Sequence, residues 1–208
     1  MSLRFIAPSK TTSISLMILV FVASWINPIW PMEQALHCSL TVVAFGFLWW
    51  YVKKHGMNDR DFFLIIIFLC MHSLAARWLY SNIPYESWIQ AVTGYSLSQE
   101  FGWTRNNFDR LVHFLYGFCI TPATVSHIKK AHGQSYWRSY LFAIAAVMIA
   151  SLWYEWFEWI IAMTLSPSDA EAYNGQQGDM WDAHKDMFMA TIGSLVWLGM
   201  YTRHDVLR

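Results

Sequence analysis

Three carboxylates, Asp179, Asp182 and Asp186, stand at i, i+3 and i+7 within Gly178-Asp179-Met180-Trp181-Asp182-Ala183-His184-Lys185-Asp186, at the mouth of an apolar segment. If the chain is helical from Asp179 onward, all three lie on one face and repel one another. Like charges on a stripe that runs into an apolar stretch are costly until a cation, a proton or an arginine neutralises them. Two further pairs pose the same problem. Asp109 and His113 are i, i+4 neighbours at the start of another apolar segment, with the His about 6 Å deeper at 1.5 Å rise per residue. Asp109 could hold His113 in place, or both could ligate a metal; a dipole-favoured Asp beside a buried His is the structural alternative. Glu155 and Glu158, at i and i+3 in Trp153-Tyr154-Glu155-Trp156-Phe157-Glu158-Trp159, sit among aromatics well inside a third segment, where packing offers no reason for two carboxylates.

The elements that carry these groups are set by composition. Of 208 residues, 56% are hydrophobic, 18% aromatic and only 13% charged, about half the charge of a soluble domain, and mean hydropathy is +0.28. The reading is an all-α, polytopic membrane helical bundle forming one transmembrane domain over residues 1–208. Net charge is zero and no Lys/Arg run of five or more occurs, so no nucleic acid partner is expected. Six apolar segments have about the length that spans a bilayer: 14–30, 34–52, 62–80, 108–127, 137–164 and 184–202. The first ends in Asn27-Pro28-Ile29-Trp30-Pro31 with no small-residue cleavage site, which reads as a retained helix rather than a signal peptide.

Basic residues stay cytoplasmic. With the N-terminus inside, Arg4, Lys10, Lys53, Lys54, Arg60, Lys129, Lys130, Arg138, Arg203 and Arg208 fall inside, ten of fourteen, and of the acidic residues only Asp59, Asp61 and Asp205 do. Both termini are therefore expected on the cytoplasmic side, with the lipid bilayer as surroundings. Cys38, Cys70 and Cys119 lie within the expected spans and imply no disulfide framework. Tyr85, Trp88, Ile89 and Val92, at i, i+3, i+4 and i+7 after Pro84, predict an amphipathic interfacial helix between the third and fourth spans. His37 reads as a packing residue, and Gly193 as a point of close helix approach.

Depth unites the pieces. His72 and Arg77, Asp109 and His113, Glu155 and Glu158, and Asp179, Asp182 and Asp186 come from different segments, yet all fall in the outer half of the membrane. Six carboxylates then face one or two histidines and at most two arginines, Arg77 and Arg110. A divalent metal cation resolves the excess; oxygen-rich ligation with imidazole suits Zn, Mn or Fe, and with fewer histidines Mg or Ca. Protonation with salt bridges is the competing resolution.

At these residues the chain resembles the YjdF-like bacterial inner-membrane proteins, a family of unknown function. The likeness rests on His72-Ser73-Leu74-Ala75-Ala76, Ile83-Pro84-Tyr85 with Trp88, and Arg105-Asn106-Asn107-Phe108-Asp109-Arg110 running to His113-Phe114. It continues in Tyr154-Glu155, Glu158-Trp159, Gln177-Gly178-Asp179-Met180-Trp181-Asp182 and Asp186-Met187. The resemblance implies a multi-helix inner-membrane protein and supplies no activity. It departs at His184, where the family pattern carries Gln, and His184 is also off the acidic face at i+2 from Asp182. The order Asp-x-x-x-His helix, Glu helix, Asp-x-x-x-Asp helix is similar, more loosely, to the VanZ-like membrane proteins linked to glycopeptide resistance.

The expected function is a metal-dependent membrane enzyme, a hydrolase acting on a lipid or lipid-linked envelope substrate from the outer leaflet. Asp109, His113, Glu158, Asp182, Asp186 and His72 are the candidate metal ligands, Glu155 or Asp179 the general base, and Arg77 or Arg110 an anion clamp for a head group. The alternatives are a divalent-cation or proton-coupled transporter and a non-catalytic envelope assembly factor.

Overall fold

The computed structural model describes residues 7–200, which form ten helices: α1 (Lys10–Ser24), α2 (Pro31–His55), α3 (Asp59–Ala76), α4 (Tyr85–Thr93), α5 (Leu97–Phe101), α6 (Phe108–His132), α7 (Tyr136–Thr164), α8 (Pro167–Asn174), α9 (Asp182–Leu195) and α10 (Trp197–Met200). Arg4, Arg203, Asp205 and Arg208, and the last two residues of the sixth expected span, lie outside the described residues. Among those described there is no strand. The helices α2, α6 and α7 are long and apolar enough to cross a membrane, and α1 is a shorter apolar helix.

Short polar residues start several of these helices by accepting an otherwise orphaned backbone N–H. Ser9 accepts from Thr12 at α1, Asn58 from Asp61 at α3, Ser135 from Arg138 at α7 and Ser166 from Asp169 at α8. The first expected span stops early, at Ser24, because Arg77 seizes the carbonyls that follow: its guanidinium donates to Ser24 O (2.9 Å), Ile26 O (2.6 Å) and Asn27 O (3.2 Å). The third stops at Ala76, where Leu79 and Tyr80 turn the backbone to positive φ.

Contacts between helix ends give the topology. Lys10 pairs with Asp59, joining the starts of α1 and α3. Ser126, near the end of α6, donates to Asp61 at 2.7 Å, and Lys130 donates to His55 O at the end of α2 at 2.7 Å. Successive long helices therefore alternate in direction, and the basic ends of α2 and α6 meet the starts of α1 and α3.

The tightest pairing is α6 with α9. A Cβ on Gly117 would fall 1.8 Å from Ala190 O, and one on Gly193 would fall 2.0 Å from Phe114 O. Backbone meets backbone here, an approach only glycine permits. Thr121 Oγ1 donates to Ser194 Oγ at 2.9 Å, and Tyr140 of α7 donates to Ser194 O at 2.8 Å. With α7 packed on both, the three helices form one unit whose far end carries the acidic residues.

Candidate functional site

The aspartate stripe is only partly helical. The helix α9 begins at Asp182, so Asp179 is not on its face; it sits in the preceding turn, where its carbonyl accepts from Asp182 N–H at 3.1 Å. Asp182 and Asp186, one turn apart, face Asp109, Arg110 and His113 of α6, because the glycine contacts deeper down fix how the two helices register.

Two arginines hold the cluster. Arg105, in the loop before α6, pairs with Asp109 through Nη2 and with Asp182 through Nη1, and stands 3.6 Å from Asp179. Arg110 bonds Asp182 through Nη2, lies 3.3 Å from Asp179, donates to Asp182 O at 3.1 Å and sets Nη1 beside Asp186. Lys185 donates to Asp179 at 2.6 Å. That bond and the Trp181 N–H hold the Asp179 carboxyl down at about 2. With all six carboxylates ionised, these three cations still leave an excess of three negative charges.

The excess falls on the deeper groups. Glu155 is buried and its Oε1 has no hydrogen-bond partner among the described residues; Asp186 Oδ1 lies beside Arg110 without hydrogen-bond alignment. His113 Nε2 is 3.8 Å from Asp186 Oδ2. One ligand atom each from His113, Glu155 and Asp186 lies within 4.8 Å of the others, and the same is true of Asp109, Asp182 and Asp186. The first set is one imidazole and two carboxylates with a free oxygen, a donor set that suits Zn, Mn or Fe. The second is all oxygen and already spanned by guanidinium groups. Asp186 belongs to both.

Glu158, one turn outward from Glu155, faces Tyr154 and Glu155. His72 lies apart from the carboxylates: its Nε2 is 3.2 Å from His37 O, and its Nδ1 is bonded by Tyr80. Arg77, bound to the α1 carbonyls, does not reach the cluster, and Arg105 takes the place expected for it. His184 is exposed, edge-on to Trp181. His37 packs flat on Tyr173, ring centres 4.4 Å apart.

Directly inward of the site is a cavity of about 240 Å³ between α2, α3, α6 and α7. His113 lines it, as do His72, Tyr80 and Tyr154, so the acidic cluster and the cavity share a wall.

The family described as "Predicted membrane protein (DUF2238)" matches residues 10–205. A similar protein is "Inner membrane protein YjdF" of Escherichia coli (strain K12), 27% identical over 148 residues. That match takes in 69% of this chain and 65% of the relative, so the chain spans just under two thirds of the relative's length. No solved structure matches the chain.

Proposed function

The chain belongs to the DUF2238 family of predicted membrane proteins, and on that premise we propose an integral inner-membrane enzyme whose outer-leaflet site uses a divalent metal on a lipid or lipid-linked envelope substrate. Six helices, α1, α2, α3, α6, α7 and α9 with α10, cross the bilayer in this reading, both termini are cytoplasmic, and α4 lies in the outer interface. The support is that Lys10, Lys53, Lys54, Arg60, Lys129, Lys130 and Arg138 gather at the end of the bundle opposite Asp109, Asp179, Asp182 and Asp186. Val92 and Trp88 of α4 are exposed, as an interfacial helix requires.

His113, Glu155 and Asp186 are the proposed metal ligands. The observation that carries this reading is Glu155, a buried carboxylate with an unbonded oxygen in reach of Asp186 and a histidine. An unpaired buried carboxylate is expensive unless something positive completes it. A divalent ion there would activate water or polarise a phosphoryl or ester oxygen. The chain's own groups have separate duties. Arg105 and Arg110 neutralise Asp109 and Asp182 and hold α6 against α9, which fixes the angle at which His113 and Asp186 meet. Arg110, already bound to three aspartates, presents the positive edge nearest to a head group.

Elemental analysis of the detergent-purified protein tests the proposal. Near-stoichiometric metal in the wild type, lost in Glu155→Gln and His113→Ala and kept in Arg77→Met, is the expected result and licenses a screen for lipid hydrolysis. No metal in any sample after incubation with Zn, Mn and Mg overturns it. The rival that such a result favours is a purely structural cluster, for which Arg105 and Arg110, together touching four of the six carboxylates, are the supporting observation.

A further inference from the structure

Buried hydroxyls on helices normally return a hydrogen bond to the carbonyl three or four residues earlier. Here Ser13, Ser24, Ser73, Thr121, Ser139 and Ser194 do so, bonding Ser9 O, Phe21 O, Leu69 O, Gly117 O, Ser135 O and Ala190 O. Two buried Ser/Thr hydroxyls do not. Thr41 on α2 and Ser151 on α7, each 2% exposed, have no hydrogen-bond partner among the described residues, and both line the cavity. A hydroxyl left unmated in an apolar setting is costly, so two exceptions converging on one space mark a place for a polar atom brought by a ligand.

The rest of that space is hydrocarbon-like. Leu40, Ala44, Phe68, Leu69 and Tyr116 are among its walls. At about 240 Å³, below the usual size of a drug-sized ligand site, it holds a stretch of chain rather than a whole molecule of that size. It lies between α2 and α7, of which α2 packs on α3 while α7 packs on α6, α8 and α9, so it separates two helices that the bundle does not otherwise clamp together. Ser151 stands one helical turn, about 6 Å, inward of Glu155.

We propose that the cavity binds one fatty-acyl chain of a membrane lipid, the carbonyl of its ester or amide linkage accepting hydrogen bonds from Thr41 and Ser151 and its head group at His113. This rests on the membrane reading above and narrows its substrate to acyl lipids; a prenyl chain carries no carbonyl for the two hydroxyls. Rings of His113 and Tyr154, edge to face with centres 5.9 Å apart, separate the chain from the carboxylates. The carbonyl sits about 6 Å below the carboxylate level, a span of about four or five bonds at ~1.5 Å each, as between an acyl ester and a head-group phosphate.

The test uses the full-length protein in nanodiscs doped with a phosphatidylglycerol carrying a diazirine on one acyl chain, and in parallel with a diazirine-bearing farnesyl phosphate. After irradiation, mass spectrometry locates the adducts. The expected result is acyl-probe labelling on α2 and α6 near Ala44 and Tyr116, reduced at least fivefold in Thr41→Val/Ser151→Ala, with little farnesyl labelling. Ala44→Trp, which fills the cavity from one wall, should abolish labelling in a protein that still elutes as a single species. Equal labelling by both probes, or acyl labelling indifferent to the Thr41 and Ser151 changes, overturns the proposal, as does labelling confined to the outer surface. Metal content separates this from the reading it rests on. Thr41→Val/Ser151→Ala should keep its metal, and Glu155→Gln, if metal-free, should keep its acyl labelling.

Discussion

Asp61 and Glu155 are both buried carboxylates on long helices, near opposite ends of the same bundle, and only one of them is finished. Asp61 is fully buried, yet Asn58 Nδ2 donates to it at 2.7 Å, Arg60 Nε at 2.9 Å and Ser126 Oγ at 2.7 Å. Glu155 has an oxygen with no donor and faces Asp186 and His113. At the basic end, donors match acceptors and the charge ties α3 to α6. At the acidic end, six carboxylates share three cations. A carboxylate closed by its own neighbours is architecture; one left open among others of its kind is a seat for something else.

The comparison can be broken most sharply at Arg110. Arg110→Met leaves Asp182 and Asp186 short of a cation and should cost about 3–5 kcal/mol, read as a lowered unfolding midpoint in detergent; Asp186→Asn added to it should recover part of the loss. If Arg110→Met were as mild as Arg138→Met at the other end, the acidic cluster would not depend on arginine. Next, Gly117→Ala forces a methyl into Ala190 O and should cost about 1–3 kcal/mol, and metal should fall with it, since the α6 and α9 ligands lose their register. Asp61→Asn should cost a similar or smaller amount, about 1–3 kcal/mol, while metal content stays intact. Glu155→Gln should do the reverse, losing metal with stability unchanged or raised in the metal-free protein. The smallest effect concerns Asp179. Its carboxyl is held at about 2, below the ordinary ~3.9. The stability it contributes is present above pH ~4 and is lost as pH falls toward 2. In Lys185→Met that acid loss should shrink, so acid titrations followed by tryptophan fluorescence should differ above pH ~4 and converge near 2.

Position along the helices was legible in the sequence, and bearing around the helix axis was not. Counting 1.5 Å per residue from the segment ends placed Asp109, His113, Glu155, Glu158, Asp182 and Asp186 in one half of the bundle; the fold brings five of them together and sets Glu158 against Tyr154 and Glu155 instead. The same count put His72 and Arg77 there, but α3 packs on α1, α2 and α6 rather than on α9, so His72 turns to the cavity and Arg77 to the α1 carbonyls. Arg105 was missed because it precedes the fourth span; its i, i+4 spacing to Asp109 was the available signal, readable only if the first turn of α6 were known to reach back to it. Asp179 was read onto a helix that in fact begins three residues later, since a turn and a helix give similar reach at such short range. Gly193 was read correctly as a close approach, though its counterpart Gly117 could be identified only with both helices in place.

The contact of α6 with α9 also orders events during biogenesis. Asp182 and Asp186 follow every other part of the site in the chain, so Asp109, Arg110, His113 and Glu155 must enter the bilayer before their partners have been translated. Arg105 and Asp109 can pair at once within one turn, but Arg110 has to wait. An insertion intermediate halted before α9 would carry Arg110 without its aspartate partners of that helix, a recognisable mark for membrane quality control, and the arrival of the last aspartates would end that exposure.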